Sequence, residues 1–173
     1  MTRTLLFALG LVLLPAATQA AEDPGCAVWR RELSFARTVQ QHDAAAFAAH
    51  VEPGAVFAAN SPHPQRGRAA VLASWRDLIA GKPMRLAWYP TQVVTGGEAD
   101  IAYSSGPWLM ETVNPSARTR YVLGHFATVW HRGKDGAWRV LFDAGDEGTP
   151  SDEAGAAAFR KGRQAACPGT RVR

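Results

Sequence analysis

The stretch Gly124-His125-Phe126-Ala127-Thr128-Val129-Trp130-His131-Arg132, then Gly133-Lys134-Asp135-Gly136, then Ala137-Trp138-Arg139-Val140-Leu141-Phe142-Asp143 decides the fold. It reads as two strands, about 118–131 and 137–143, joined by a tight turn. Asp-Gly between apolar strands is a strong hairpin signal. Upstream the same grammar repeats. Strands are expected over 84–94 and 99–113, separated by Thr95-Gly96-Gly97-Glu98 and Asn114-Pro115-Ser116. Pro90 and Pro107 should mark edges or bulges, since proline cannot donate to a ladder. Short connections imply an antiparallel meander.

Ahead of these strands the period is helical. Trp29, Leu33, Ala36 and Val39 recur at helical spacing within a helix over 24–42. Asp43 is placed to cap a short second helix, 44 to about 51, which Pro53-Gly54 stops. A short strand at 55–58 and a loop at Asn60-Ser61-Pro62-His63-Pro64 precede a third helix over 68–80, ended by Gly81-Lys82-Pro83. Beyond Gly148 an Ala-rich segment, 151–166, reads as a helix. The order predicts an α+β fold: one curved, cone-shaped antiparallel sheet with three helices packed on its concave face. Residues 21–148 form that domain and 149–173 a helical tail.

Composition agrees with one ordinary domain. The chain has 173 residues, 47% hydrophobic and 20% charged, with a formal charge of +4. Disordered, collagen-like and coiled-coil chains are excluded on these values. Residues 1–20 read as a signal peptide: Arg3, an apolar run from Leu5 to Leu14, and a small-residue ending at Ala20. The alternative is an N-terminal anchor, but the run falls well short of the roughly 20 residues a span needs. A periplasmic or secreted protein, with no membrane contact after cleavage, is the expectation. In an oxidising compartment Cys26 and Cys167 read as a disulfide, with two unpaired thiols as the alternative.

Motifs for common chemistries are weak. His42, His50, His63, His125 and His131 show no metal-ligand spacing, so neither a metal nor a cofactor is expected. Ser104-Ser105-Gly106-Pro107 lies in a strand rather than on a nucleophile elbow. Basic residues such as Arg30-Arg31, Arg118, Arg120, Arg171 and Arg173 are scattered, which argues against a nucleic-acid partner. Aromatic residues are the clearest feature. Trp75, Trp88, Tyr89, Tyr103, Trp108, Tyr121, Phe126, Trp130, Trp138 and Phe142 concentrate on the third helix and the sheet. They serve either core packing or a pocket with aromatic walls and a few polar tips.

Taken together, the hairpin segment above and Gly67-Arg68-Ala69-Ala70-Val71 opening a helix that contains Trp75 resemble the nuclear transport factor 2-like superfamily. That superfamily includes ketosteroid isomerases, scytalone dehydratase and SnoaL-like polyketide cyclases. The resemblance covers about 27–148 and implies a cone-shaped scaffold, while activity varies within the superfamily. The isomerase set does not carry over. Phe35 stands at the position matching the carbonyl-polarising tyrosine. Ala58-Ala59-Asn60-Ser61 supplies no general base, and Gly124 stands where the protonated aspartate precedes His-Phe.

The resemblance therefore implies a pocket between sheet and helices, with Phe35, Asn60, Trp75, Tyr103, Trp108, Phe126 and Asp143 as candidate lining residues. His63 and Asp143 are the candidate acid–base pair; the alternative is that Asp143 caps a loop or bonds a helix-1 group. Glu111 reads as a surface residue at a strand end. Binding of a small apolar molecule leads. A lyase, cyclase or isomerase using a different polar set, drawn from Asn60, His63 and Asp143, is the second reading, and an assembly module with a filled cone the third. A homodimer through the outer sheet face is a further expectation. When the full chain is expressed with export, intact mass should show loss of residues 1–20 and no free thiol. A retained N-terminus would remove the signal-peptide reading.

Overall fold

The computed structural model describes residues 23–168, so the expected signal peptide lies outside the described residues. Helix α1 spans Pro24–Gln40. Asp23 caps it by accepting a hydrogen bond from the Cys26 amide, and Pro24 sits in the first turn, where no donor is needed. Val28, Phe35, Ala36 and Val39 are buried on one side; Trp29 and Leu33 are buried on another. Helix α2 spans Ala44–His50 and is capped as expected, with the Ala46 amide donating to Asp43 Oδ1 at 2.8 Å. Strand β1 (Val51–Phe57), the two-residue β2 (Gln65–Arg66) and helix α3 (Arg68–Ile79) follow. Gly67 starts α3 at φ 85°, a conformation that suits glycine.

The remaining strands are β3 (Met84–Trp88), β4 (Gln92–Thr95), β5 (Ile101–Thr112), β6 (Tyr121–Arg132), β7 (Trp138–Gly145) and β8 (Thr149–Ser151), and the chain closes with α4 (Glu153–Gly162). One sheet runs β2-β1-β7-β6-β5-β3, with β4 also on β5 and β8 on β6. It curls around α1, α2 and α3, which gives the α+β cone.

Three features differ from the expectation. First, the sheet is mixed, because β1 pairs parallel to β7. The meander rule governs strands joined by short turns, and these two strands are far apart in sequence. Second, the strand expected over 84–94 is broken at Tyr89-Pro90-Thr91 into β3 and β4, both on the β5 edge. Opposite the break lie Gly106 and Pro107. The missing donor of Pro107 therefore falls where the edge partner is interrupted. A Cβ on Gly106 would sit 2.1 Å from the Tyr89 carbonyl oxygen, so the break and the glycine require each other. Third, β2 and β8 were too short to read as strands from the sequence, and β1 starts at Val51 and runs through Pro53-Gly54, the pair expected to stop α2 ahead of a strand at 55–58.

The tail carries its own packing. Ala156 and Phe159 of α4 join Trp29, Leu33, Tyr89, Leu109 and Tyr121 in a second buried cluster. Leu109 and Tyr121 point to the convex face, so α4 covers that face while α1, α2 and α3 fill the concave one. A Cys26–Cys167 disulfide, spanning 141 residues of sequence, ties the segment after α4 to the start of α1.

The break in the edge strand yields a stability expectation. Gly106→Ala should lower unfolding free energy by about 1–3 kcal/mol in urea titration, because backbone rather than a flexible side chain must move. Gly54→Ala, with no atom within 4 Å of the added carbon, should stay within about 0.5 kcal/mol. Equal behaviour of the two variants would contradict the packing described.

Candidate functional site

Side chains alternate across strands, so β5 and β6 each send one set into the cone. From β5 these are Ala102, Ser104, Gly106, Trp108 and Met110; from β6 they are Phe126, Thr128 and Trp130. Strand β7 adds Val140 and Asp143, and α1 adds Glu32 and Phe35 from the opposite wall. The narrow part of the cone is filled. Phe35 packs edge-on against Trp88 and Trp130, with centroids 5.3 and 6.0 Å apart. The wide part is open and forms a cavity of about 490 Å³, walled by Phe35, Trp75, Leu86, Trp88, Trp108, Met110 and Phe126. Its mouth carries Asn60, Ser61 and Gln65 on one side and Asp143, Asp146 and Glu147 on the other.

Beneath this cavity lies a fully buried carboxyl, Glu32. Trp88 Nε1 donates to its Oε1 at 2.7 Å, and Trp130 Nε1 to its Oε2 at 2.9 Å. Ser104 Oγ donates to Oε2 as well and accepts from Trp130 Nε1 at 3.1 Å. The donors are all neutral. They recover only part of what the carboxylate loses on leaving water, so burial raises its pKa.

Asp143 is the carboxyl that reaches the cavity. Thr128 Oγ1 donates to its Oδ2 at 3.0 Å, and its backbone carbonyl accepts from the Ala59 amide. Enclosure by protein, aided by the negative potential of Glu32, pushes its pKa up to about 8, and the Thr128 hydroxyl offsets little of that. The residue as a whole is only half-buried, while its carboxyl is enclosed. His50 shows the opposite sign. Burial pushes it down to about 4 and holds it neutral, with Nδ1 on the Ala46 carbonyl and Nε2 on the Ser34 hydroxyl.

Of the residues singled out from the sequence, Phe35, Asn60, Trp75, Trp108, Phe126 and Asp143 all line the cavity. Tyr103 does not. Its odd parity on β5 turns it to the convex face, where it is 40% exposed and pairs with Val94. His63 is also outside the lining. It is exposed on the rim loop, and among the described residues no hydrogen bond or ion pair joins it to Asp143. The chain direction is fixed there by Pro62 and Pro64 rather than by a contact with Asp143. Asn60 donates from Nδ2 to the Gly145 carbonyl at 2.8 Å and so clasps the two lips of the mouth. Glu111 lies in a surface ion pair with Arg120 at 2.8 Å.

Gly124 has a packing reason. A Cβ there would meet Asp146 Oδ1 at 2.1 Å and the Trp108 ring at 2.4 Å. Trp108 and Asp146 fill the space into which a side chain at that position would project. Gly148 closes on the same indole, with its virtual Cβ 2.4 Å from Trp108 Cη2. The sequence reading missed Glu32, Ser104 and the inward role of Trp88. One signal was available for Glu32: it stands four residues after Val28 and three before Phe35, inside the apolar stripe of α1.

Comparison with known proteins agrees with this geometry. A SnoaL-like domain model matches residues 33–141. The chain belongs to the SnoaL-like domain family, and its fold is that of nuclear transport factor 2-like proteins. A putative calcium/calmodulin-dependent protein kinase II association domain from Xanthomonas campestris superposes with a TM-score of 0.59 at 13% identity, covering 83% of this chain and 99% of that one. A ketosteroid isomerase-like protein from Erwinia carotovora gives 0.57 at 11% identity, over 69% and 93%. An NTF-2 like protein of unknown function from Shewanella oneidensis gives 0.56 at 12%, over 71% and 98%. At these identities the likeness is one of fold. No curated protein matches the chain.

The shifted groups make stability depend on pH. Asp143 holds its proton to about pH 8 when folded and only to about 3.9 when unfolded, so stability falls as pH rises between them. His50 titrates near 6.5 unfolded and about 4 folded, so its contribution rises with pH over that range. The two oppose each other below about pH 6.5, and above it the carboxyl term remains. Denaturant melts should show stability declining from about pH 6.5 to 8, with Asp143 contributing at most about 1.4 kcal/mol per unit, and a shallower decline in Asp143→Asn. An identical slope in both proteins would refute the assignment to Asp143.

Proposed function

We propose that this protein is an exported domain that binds a small, largely apolar molecule in the cone. The observation that supports this most is the open cavity of about 490 Å³ with aromatic walls and polar atoms gathered at one side. Sites for small molecules have this make-up. The openness favours a ligand over an assembly module with a filled cone. Export rests on the sequence of residues 1–20, and the Cys26–Cys167 disulfide is consistent with an oxidising compartment. Among the described residues no helix is long and apolar enough to cross a membrane.

A ligand removing roughly 250 Å² of apolar surface from water would gain about 6 kcal/mol at 25 cal/mol per Å². Lost translational and rotational freedom offsets much of that, so the polar side of the cavity sets orientation and selectivity. A second reading has its own support. Asp143 holds its proton near neutral pH and faces the cavity, so it could deliver that proton to a ligand oxygen or leaving group, as a lyase, cyclase or isomerase requires.

Tryptophan fluorescence titration and thermal shift against a panel of hydrophobic small molecules test the main reading. Trp108→Ala and the cavity-filling Phe126→Trp should each weaken binding by about tenfold or more, the former by lost contact and the latter by lost volume. Binding that survives both substitutions unchanged would place the ligand elsewhere.

A further inference from the structure

The protein carries a net positive charge, yet its cavity carries the opposite sign. Among the described residues, Asp143, Asp146 and Glu147 line it, and no lysine, arginine or histidine does. Glu32 adds a fourth carboxyl directly below. The rest of the wall includes three indoles, Trp75, Trp88 and Trp108, with the phenyl rings of Phe35 and Phe126. Two of those indoles have their N–H groups engaged within the protein, Trp88 on Glu32 and Trp108 on the His125 carbonyl at 3.2 Å. They therefore offer a ligand ring carbon rather than donors. Ionised carboxylates such as those of Asp146 and Glu147 only accept, aromatic faces carry negative potential, and neither suits an anion.

We propose that the cone selects an organic cation, a protonated amine or quaternary ammonium on a compact apolar body, with the charged end against Asp143 and the body among the indoles. This rests on the reading of the cavity as a small-molecule site and names the chemistry of its ligand.

The surroundings of Asp143 explain why the charge belongs to the ligand. From α1 the charge of Glu32 acts on it, and from the segment after β7 Asp146 and Glu147 line the same cavity. From β6 it meets the Thr128 hydroxyl, and from the 58–62 loop Asn60 and Ser61, none of which supplies a positive charge. His125 lies at the outer rim, its Nδ1 3.6 Å from Asp146 Oδ2, with the side chain 79% exposed. The empty cavity meets this shortage by holding Asp143 protonated. A cation entering beside it favours the ionised form, so the proton on the Asp143 carboxyl passes to solvent as the ammonium takes its place. Binding is then coupled to release of up to one proton and weakens by up to tenfold per pH unit as pH falls below the titration of Asp143.

Calorimetric titration with 1-adamantylammonium and its neutral counterpart 1-adamantanol, at pH 6 and 8.5, separates the possibilities. Benzyltrimethylammonium serves as a cation whose charge does not titrate. The ammonium is expected to bind at least tenfold more tightly than the alcohol at pH 8.5, with the ratio shrinking at pH 6. Titrations at pH 6 in buffers of different ionisation enthalpy should report close to one proton released by wild-type protein. Asp143→Asn should bring the two affinities together. The proton count on wild-type protein decides the matter should that variant fold poorly. Equal or tighter binding of the alcohol would overturn the cation proposal and leave the small-molecule site standing. Failure of every probe, alongside an equally unresponsive hydrophobic panel, would overturn both.

Discussion

A carboxylate buried without a cation constrains the centre of this fold. Glu32 enters the cone from α1 and meets two indole N–H groups and a hydroxyl, drawn from β3, β5 and β6. An indole nitrogen can only donate, so both tryptophans must aim their N–H groups at the Glu32 oxygens. Each bond also joins the helix to a different strand. The register of α1 over the sheet, the inward turn of Trp88 and Trp130, and the depth to which Phe35 descends all follow from satisfying those two oxygens. An unsatisfied partner in this position would cost on the order of 1–3 kcal/mol.

That packing also decides where the cone stops being solid. Phe35, Trp88 and Trp130 close its narrow end over Glu32. Beyond them the walls diverge, and the wide end is held open by backbone-level contacts. Trp108 is pressed between Gly124 and Gly148, and Asn60 bridges to the Gly145 carbonyl across the mouth. Gly124 thus stands as the complement of an indole. The polar groups of the isomerases are missing from their positions, and a different carboxyl, Asp143 at the end of β7, faces the space. The likeness to those proteins is one of scaffold, and the groups that face its interior differ.

Two acidic groups close together in a dry region cannot both be ionised cheaply. Glu32 receives hydrogen bonds from two indoles and a hydroxyl, whereas Asp143 receives one, from Thr128. Each raises the cost of charging the other, and Asp143 is the one that lines the cavity.

The sequence by itself determined the helices, the hairpin at Asp135-Gly136, the run of long strands and the cone as a class, because those follow from local periodicity and turn chemistry. It also placed Phe35, Asn60, Trp75, Trp108, Phe126 and Asp143 in one region, through a family pattern rather than through spacing. It could not decide parity on β5, since Tyr103 and Ser104 are equally plausible inward residues until the pairing with β6 fixes which face curls. It could not give the parallel pairing of β1 with β7, which joins segments far apart in the chain. Nor could it show that Glu32, a charged residue in an amphipathic helix, points inward, since its partners come from three strands. Tertiary structure alone decided these points, because each depends on which groups meet across the cone and on how much water is left there.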